Sequence, residues 1–178
     1  DIIPQYVELL CRELKITAEI ANKLGLRLET VYMGGGTPTT LTAEQLNLVL
    51  GTVNKHFDMS YVREFTVEAG RPDTIDAEKL IAIKQNGVTR ISINPQSMND
   101  DVLTAIGRKH TALDTVKAFN LAREIGFDNI NMDLIAGLPT DTFDSFKDTL
   151  DKILKLDPES VTVHSLSMKR ASTLNTTG

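Results

Sequence analysis

Val31-Tyr32-Met33-Gly34-Gly35-Gly36-Thr37-Pro38-Thr39-Thr40 is the stretch on which the fold turns. Three apolar or aromatic residues run into three glycines, and an amphipathic helix pattern follows the threonines. Apolar residues that stop at glycines read as a strand closing in a tight turn. Glycines leave backbone N–H and C=O groups uncovered, so a ligand can touch the main chain. Pro38 fixes one φ angle and stiffens the loop. Ahead of a helix start, such a loop suits a phosphate, a carboxylate or an amino group. A plain β-to-α turn needs fewer glycines than these, which favours a ligand-binding loop. It is not the usual phosphate loop, because the chain has no Gly-Lys-Ser/Thr and no Gly-x-Gly-x-x-Gly spacing.

The same strand-to-helix rhythm extends to both sides of the loop. Upstream, residues 4–24 form a helix pattern with Val7, Leu10, Cys11, Leu14, Ala18 and Ala21 on one face, ended by Gly25. Residues 28–33 are the strand that enters the loop. Downstream, Thr42-Ala43-Glu44-Gln45 is a capping box, and Leu46, Val49, Leu50, Val53 and Phe57 follow at helical spacing. Strands are expected at 62–69, 89–93, 129–135 and 160–166. Asn94-Pro95-Gln96-Ser97 reads as the exit loop of the third strand. Asp76 caps a helix that Gly87 ends, and a short helical piece spans 100–106. Residues 112–125 form a longer helix ended by Gly126. Residues 142–156 form the last, with Phe143, Phe146, Leu150, Ile153 and Leu154 turned inward.

This alternation implies a parallel sheet with helices packed outside it, joined by right-handed crossovers. Strands of a flat doubly wound sheet are long apolar runs. Here Arg90, Ser92 and Asn94, then Asn131 and Asp133, alternate into the strands. A curved sheet whose inner face lines a site explains that pattern. Barrel sites gather at strand C-terminal ends, where the unusual residues of this chain also cluster. The fold expected is α/β, a partial (β/α) TIM-type barrel of about five parallel strands, with residues 1–178 as a single domain.

Composition narrows the function classes. The chain has 178 residues, 41% hydrophobic and 24% charged, enough for one domain with a real core. A net charge of −5 without a basic block argues against nucleic acid and anionic membranes as partners. No apolar run approaches a membrane span and no signal peptide is visible. The chain starts at Asp1 and stops at Gly178 just after a strand pattern, so both ends read as cut from a longer protein. The single cysteine, Cys11, fits a reducing, cytoplasmic setting and lies on the helical core stripe. One thiol cannot hold an iron–sulfur cluster. Three scattered histidines make no metal motif, so no metal ligand is assigned. His110 and His164 read as structural or substrate-facing.

Four polar residues could carry chemistry. A carboxylate at Glu68 can accept hydrogen bonds from an amine or from ribose hydroxyls, although alone it fits a rim ion pair better. Gln96 can bridge a donor and an acceptor on a ligand, or simply close its loop. Arg108 can pair with a carboxylate, or remain a solvated charge. Asp133 lies within an otherwise apolar strand, so it is either paired or facing a cavity. No catalytic triad, His-Glu-x-x-His motif or glycosidase-type carboxylate pair occurs, and no catalytic residue is singled out. The residues therefore describe a barrel whose glycine loop, Glu68, Gln96, Arg108 and Asp133 ring a small polar ligand.

The loop Gly34-Gly35-Gly36-Thr37-Pro38-Thr39 resembles the "GGGTPT" loop of radical S-adenosylmethionine (SAM) enzymes. Residues 90–100 resemble the "RISIxxQS" segment of the oxygen-independent coproporphyrinogen III oxidase group. Residues 106–111 resemble its "LGRxHT" segment, and residues 131–139 its "NxDLIxGLP" strand. The four segments occur in the family's order. The resemblance implies that Gly34, Gly35, Gly36 and Thr37 meet the amino end of SAM and that Glu68 is another SAM contact. It implies that Gln96, Arg108 and Asp133 contact the carboxylate or ribose. Asn94-Pro95, and Gly70 where the family more usually has Asn, point to a divergent branch. The family's Cys-x-x-x-Cys-x-x-Cys cluster loop and the strand leading to it are missing from this sequence. The implied parent splits SAM at a 4Fe–4S cluster and uses the radical to decarboxylate coproporphyrinogen III to protoporphyrinogen IX. It would take electrons from a donor protein, and this segment alone would be inactive. The open barrel edge makes a homodimer possible. A haem-binding chaperone with the same barrel, or another (β/α) barrel enzyme with an anion-binding loop, are the alternatives.

Overall fold

In a computed structural model, residues 2–167 are described. Asp1 and Gly178, the ends read as cut, lie outside the described residues. Five strands form one sheet in the order β1-β2-β3-β4-β5: Thr30–Met33, Glu64–Ala69, Arg90–Gln96, Ile130–Ala136 and Ser160–Ser165. Every neighbouring pair is parallel. Among the described residues, helix α1 Ile3–Lys23 precedes the sheet, and α2 Ala43–His56, α3 Ala77–Gln85, α4 Asp100–Ala105, α5 Ala112–Ile125 and α6 Phe143–Leu156 lie in the connections.

Strand alternation divides the sheet into two chemically opposite faces. Phe65, Val67, Ile91, Ile93, Ile130, Met132 and Leu134 are buried and form the core with the helices. Leu46, Leu50, Leu80, Ile83, Phe119 and Ile153 supply the helix side of that core. The opposite face carries Tyr32, then Thr66 and Glu68, then Ser92 and Asn94, then Asn131 and Asp133, then Ser160 and Thr162. The register sets Tyr32 beside Thr66, Glu68 beside Ser92, Ser92 beside Asn131, and Asp133 beside Thr162. The alternation at Arg90 to Asn94 thus reports a polar face, as the sequence pattern indicated.

Helix boundaries follow local chemistry. Thr42 and Thr111 both close capping boxes, with Gln45 and Asp114 answering the cap N–H. Asp76 accepts from the Lys79 N–H, and Gly126 ends α5 at φ 100°. Removing the α5 cap with Thr111→Ala leaves the Asp114 N–H unpaired. It is expected to lower unfolding free energy by about 1 kcal/mol, measured by urea denaturation.

Three expectations need correction. The third strand does not stop at Ile93, because the chain keeps its strand pairing through Gln96 across a register shift. Phe143 and Leu154 are 82% and 57% exposed, so they do not face inward. Thr149 and Ile153 are the buried residues of α6. The glycine loop does not feed an α-helix directly: a 3₁₀ turn, Pro38–Thr40, intervenes before α2. Cys11 is buried in the core, as its stripe required.

Candidate functional site

The loops after the strands are stitched together at the C-terminal edge of the sheet. The Thr39 and Thr74 hydroxyls bond at 2.6 Å, linking the loop after β1 to the loop after β2. The Asn99 amide donates to Ser145 Oγ at 2.9 Å, and the Met98 N–H to Thr149 Oγ1 at 3.1 Å. These bonds tie the exit of β3 to α6. The sheet thereby presents a fixed rim of loops above its polar face.

Glu68 stands where the polar face meets the glycine loop. Its Oε2 accepts the Gly35 N–H at 3.2 Å, and its Oε1 accepts from the Asn94 side-chain amide at 2.9 Å. A Cβ on Gly34 would sit 2.8 Å from Glu68 Oε2 and press on the Tyr32 ring. A side chain at position 34 would require the Glu68 carboxylate and the Tyr32 ring to shift. The Tyr32 phenol is held above its ordinary range, first by desolvation and then by the charges of Glu68 and Asp133. It therefore stays neutral as a donor close to both carboxylates.

Asp133 is tied to Glu68 through a buried amide chain. Asn131 donates to Asp133 Oδ1 at 2.6 Å and to Ser92 Oγ at 3.0 Å. Ser92 donates to Asn94 Oδ1 at 2.8 Å, and Asn94 in turn holds Glu68. Ser160 and Thr162 donate to Asn131 Oδ1 at 2.8 and 3.0 Å. Asp133 is thus paired and at the same time half-exposed to the polar side.

Gln96 and Arg108 are placed differently. Gln96 has φ 68° and pairs with Leu134 after the bulge, out of step with Asp133. Its side chain is 8% exposed. A non-glycine residue in the left-handed region is held there by its surroundings. Pro95 before it is pinned, its carbonyl lying 3.1 Å from His110 Nε2. Arg108 is half-buried between α4 and α5, and burial, then Arg71, lower its pKa while Asp73 opposes them. Among the described residues, no hydrogen bond joins Gln96 or Arg108 to Glu68 or Asp133. The structure therefore groups the loop, Glu68 and Asp133 in one network. Arg108 lies near His110, whose pKa it lowers, Gln96 follows the Pro95 whose carbonyl His110 faces, and His164 is exposed on β5. Sequence reasoning passed over Tyr32, Asn94 and Asn131 as site residues. The strand alternation that contains Asn94 and Asn131 was the signal for those two.

His110 is 3% exposed, and its Nδ1 has no partner among the described residues. Burial, chiefly, holds its pKa below the ordinary 6.5. Arg108 adds to that, while the Pro95 carbonyl, Asp73 and Asp114 oppose it. The folded value lies below the unfolded one, so the unfolded chain takes the proton first. Stability from this group is full above the unfolded pKa and falls as pH drops below it, towards the folded pKa. The slope approaches about 1.4 kcal/mol per pH unit for one proton. Urea unfolding between about pH 7.5 and 5.5 should show that loss, and His110→Gln should flatten it.

A cavity of about 520 Å³ lies between α1, α2 and β1. Leu10, Leu14, Val49, Leu50 and Phe65 give it apolar walls, while Tyr32, Gly34, Gly36 and Thr37 also line it, so it reaches the glycine loop.

Parallel strands, loops gathered at their C-terminal ends and a glycine loop clamped to a carboxylate define a (β/α)-barrel ligand site of the α/β class. The sequence profile of the radical SAM superfamily matches residues 2–153, and the chain belongs to that superfamily. It is 47% identical over 161 residues to the oxygen-independent coproporphyrinogen-III oxidase-like protein HemZ of Bacillus subtilis, covering 90% of this chain and 32% of that protein. It is 44% identical over 140 residues to the heme chaperone HemW of Bacillus subtilis, covering 78% of this chain and 37% of that one. The structure of coproporphyrinogen III oxidase (HemN) from Escherichia coli, a radical SAM enzyme, superposes with a TM-score of 0.82 at 30% identity. That match covers 92% of this chain and 37% of HemN. The chain thus spans about a third of the length of these relatives.

Membership brings SAM and a 4Fe–4S cluster as the superfamily's cofactors. The residues present fit SAM: the bare main chain at Gly34 and Gly35 lies against the Glu68 carboxylate, and the face beneath it offers carboxylates and amides suited to an amine and to hydroxyls. They do not fit the cluster. The one cysteine is buried in the core, and no group of His, Cys, Asp or Glu among the described residues could hold a metal ion. No helix among the described residues is long and apolar enough to cross a membrane.

Proposed function

We propose that the protein carrying this segment binds SAM over the strand C-terminal ends and acts as an oxygen-independent coproporphyrinogen III oxidase. The reaction is oxidative decarboxylation of coproporphyrinogen III to protoporphyrinogen IX. The observation that supports the SAM site is the Glu68 carboxylate, fixed between the Gly35 N–H and the Asn94 amide beside Asp133. In this reading, Gly34, Gly35, Gly36 and Thr37 receive the amino end of SAM, and Glu68 holds it from the sheet side. Asp133 takes a ribose hydroxyl, and Gln96 and Arg108 close on the carboxylate from the neighbouring cluster. When bound, SAM and the cluster together supply a 5′-deoxyadenosyl radical. The work of this segment is binding, orientation and exclusion of water. Residues 1–178 form one domain of that barrel, and the cluster ligands come from outside it. The protein works in the cytoplasm with an electron-donor protein, and β1, paired only with β2 among the described residues, offers an edge for a homodimer.

The similarity to HemW supports a second reading, a haem chaperone that keeps the same barrel. An unrelated (β/α) barrel is set aside by the superfamily match. The protein carrying this segment should be purified without oxygen and given iron, sulfide, SAM, a reductant and coproporphyrinogen III. Release of 5′-deoxyadenosine together with protoporphyrinogen IX is expected. Deoxyadenosine without protoporphyrinogen would move the substrate elsewhere. Haem transfer with neither product would favour the chaperone.

A further inference from the structure

The Glu68 carboxylate is held at both oxygens, and the second holder is a side chain with its own support. Asn94 is 5% exposed and lies one strand away from Glu68, on β3. Its amide donates to Glu68 Oε1 at 2.9 Å while its carbonyl accepts the Ser92 hydroxyl at 2.8 Å. Ser92 Oγ in turn accepts from Asn131 at 3.0 Å. The donors run in one direction along this chain, so the Asn94 amide cannot turn over without breaking two bonds. Gly70 adjoins the pair: a Cβ there would make ordinary contacts, 3.4 Å from the Asn94 amide nitrogen, 3.4 Å from Glu68 Cγ and 3.5 Å from Glu68 Oε1.

We propose that Asn94 is a positioning residue of the SAM site, acting through Glu68. The proposal rests on the SAM reading given above. A carboxylate at a strand end has several rotamers. Held by Asn94, it waits in the one that also grips the glycine loop, so less freedom is lost when SAM binds.

Equilibrium dialysis of SAM against the protein carrying this segment, purified without oxygen, tests this directly. Asn94→Gly is expected to weaken SAM binding about tenfold, the scale of one hydrogen bond to a charged group. Adding Gly70→Asn to that variant should restore most of the affinity, because an amide built from position 70 starts within reach of the same oxygen. Glu68→Gln and Asn94→Gly should be strongly non-additive, since both act on one carboxylate. A purely structural role for Asn94 would give neither the rescue nor the non-additivity. Asn94→Asp keeps the side-chain shape for folding while setting a second charge against Glu68, and its SAM affinity should improve as pH falls. Unchanged affinity in Asn94→Gly and Asn94→Asp, or additive losses with Glu68→Gln, would overturn the proposal. Failure of the unaltered protein to bind SAM would overturn it together with the SAM reading.

Discussion

Glu68→Gln is expected to weaken SAM binding about a hundredfold, with little change in melting temperature. Two donors converge on this side chain: the Gly35 N–H at 3.2 Å and the Asn94 amide at 2.9 Å. A carboxylate accepts at both oxygens. The isosteric amide accepts at one and turns an NH₂ towards the other donor, so either the loop or Asn94 loses its partner. The negative charge that the proposed site offers the SAM amino group is lost as well. A hydrogen bond to a charged group contributes about 1.5–3 kcal/mol, and about 2.7 kcal/mol corresponds to a hundredfold change. Folding should tolerate the change because Glu68 is half-exposed and the core lies on the opposite face of the sheet. Equilibrium dialysis and thermal melts of the same samples separate the two effects. Affinity within threefold of the unaltered protein would refute the assignment.

The order and type of elements were legible in the sequence because each rests on short-range chemistry. Thr42 and Asp76 cap where side-chain oxygens precede apolar periodicity, and glycines close α3 and α5. Alternation in β3 and β4 marks the polar face in the sequence itself. What escaped was set by contacts distant in the chain. Asn94 followed by Pro95 reads locally as a turn, since proline disfavours a continued strand. The strand persists to Gln96 because a bulge absorbs the irregularity and His110, far along the chain, sits against the Pro95 carbonyl. Phe143 reads as inward from its apolar character, but as the first residue of α6 it stays exposed. The site was legible as a set of residue types and not as a geometry. Glu68 and Asp133 share one hydrogen-bond network that includes neither Gln96 nor Arg108 among the described residues, a division that spacing alone does not reveal.

Asn131→Leu is expected to lower the unfolding free energy by about 3 kcal/mol, the largest stability effect anticipated for the polar face. Asn131 is 4% exposed and satisfies its full hydrogen-bonding capacity. It donates to Ser92 and Asp133 and accepts from Ser160 and Thr162. Leucine is close in volume, so the loss comes from four stranded partners rather than from a cavity. Urea titration followed by circular dichroism measures it, and a loss under 1 kcal/mol would show that water replaces the amide freely. Asn131→Asp separates hydrogen bonding from charge. It removes both donors and places a second carboxylate against Asp133, where the present contact is 2.6 Å. Two carboxylates that close cannot both ionise cheaply, so the folded pKa of one rises above its unfolded value. A raised folded pKa gives a contribution that is full below the unfolded pKa and is lost as pH rises through the folded one. Asn131→Asp should therefore be most destabilised at neutral pH and recover on acidification, whereas Asn131→Leu should show no such recovery. The same hub supports Asp133 directly and Glu68 through Ser92 and Asn94. Both variants should accordingly weaken SAM binding under conditions where the chain is still fully folded. That second readout distinguishes an amide that shapes the site from one that only fills the sheet.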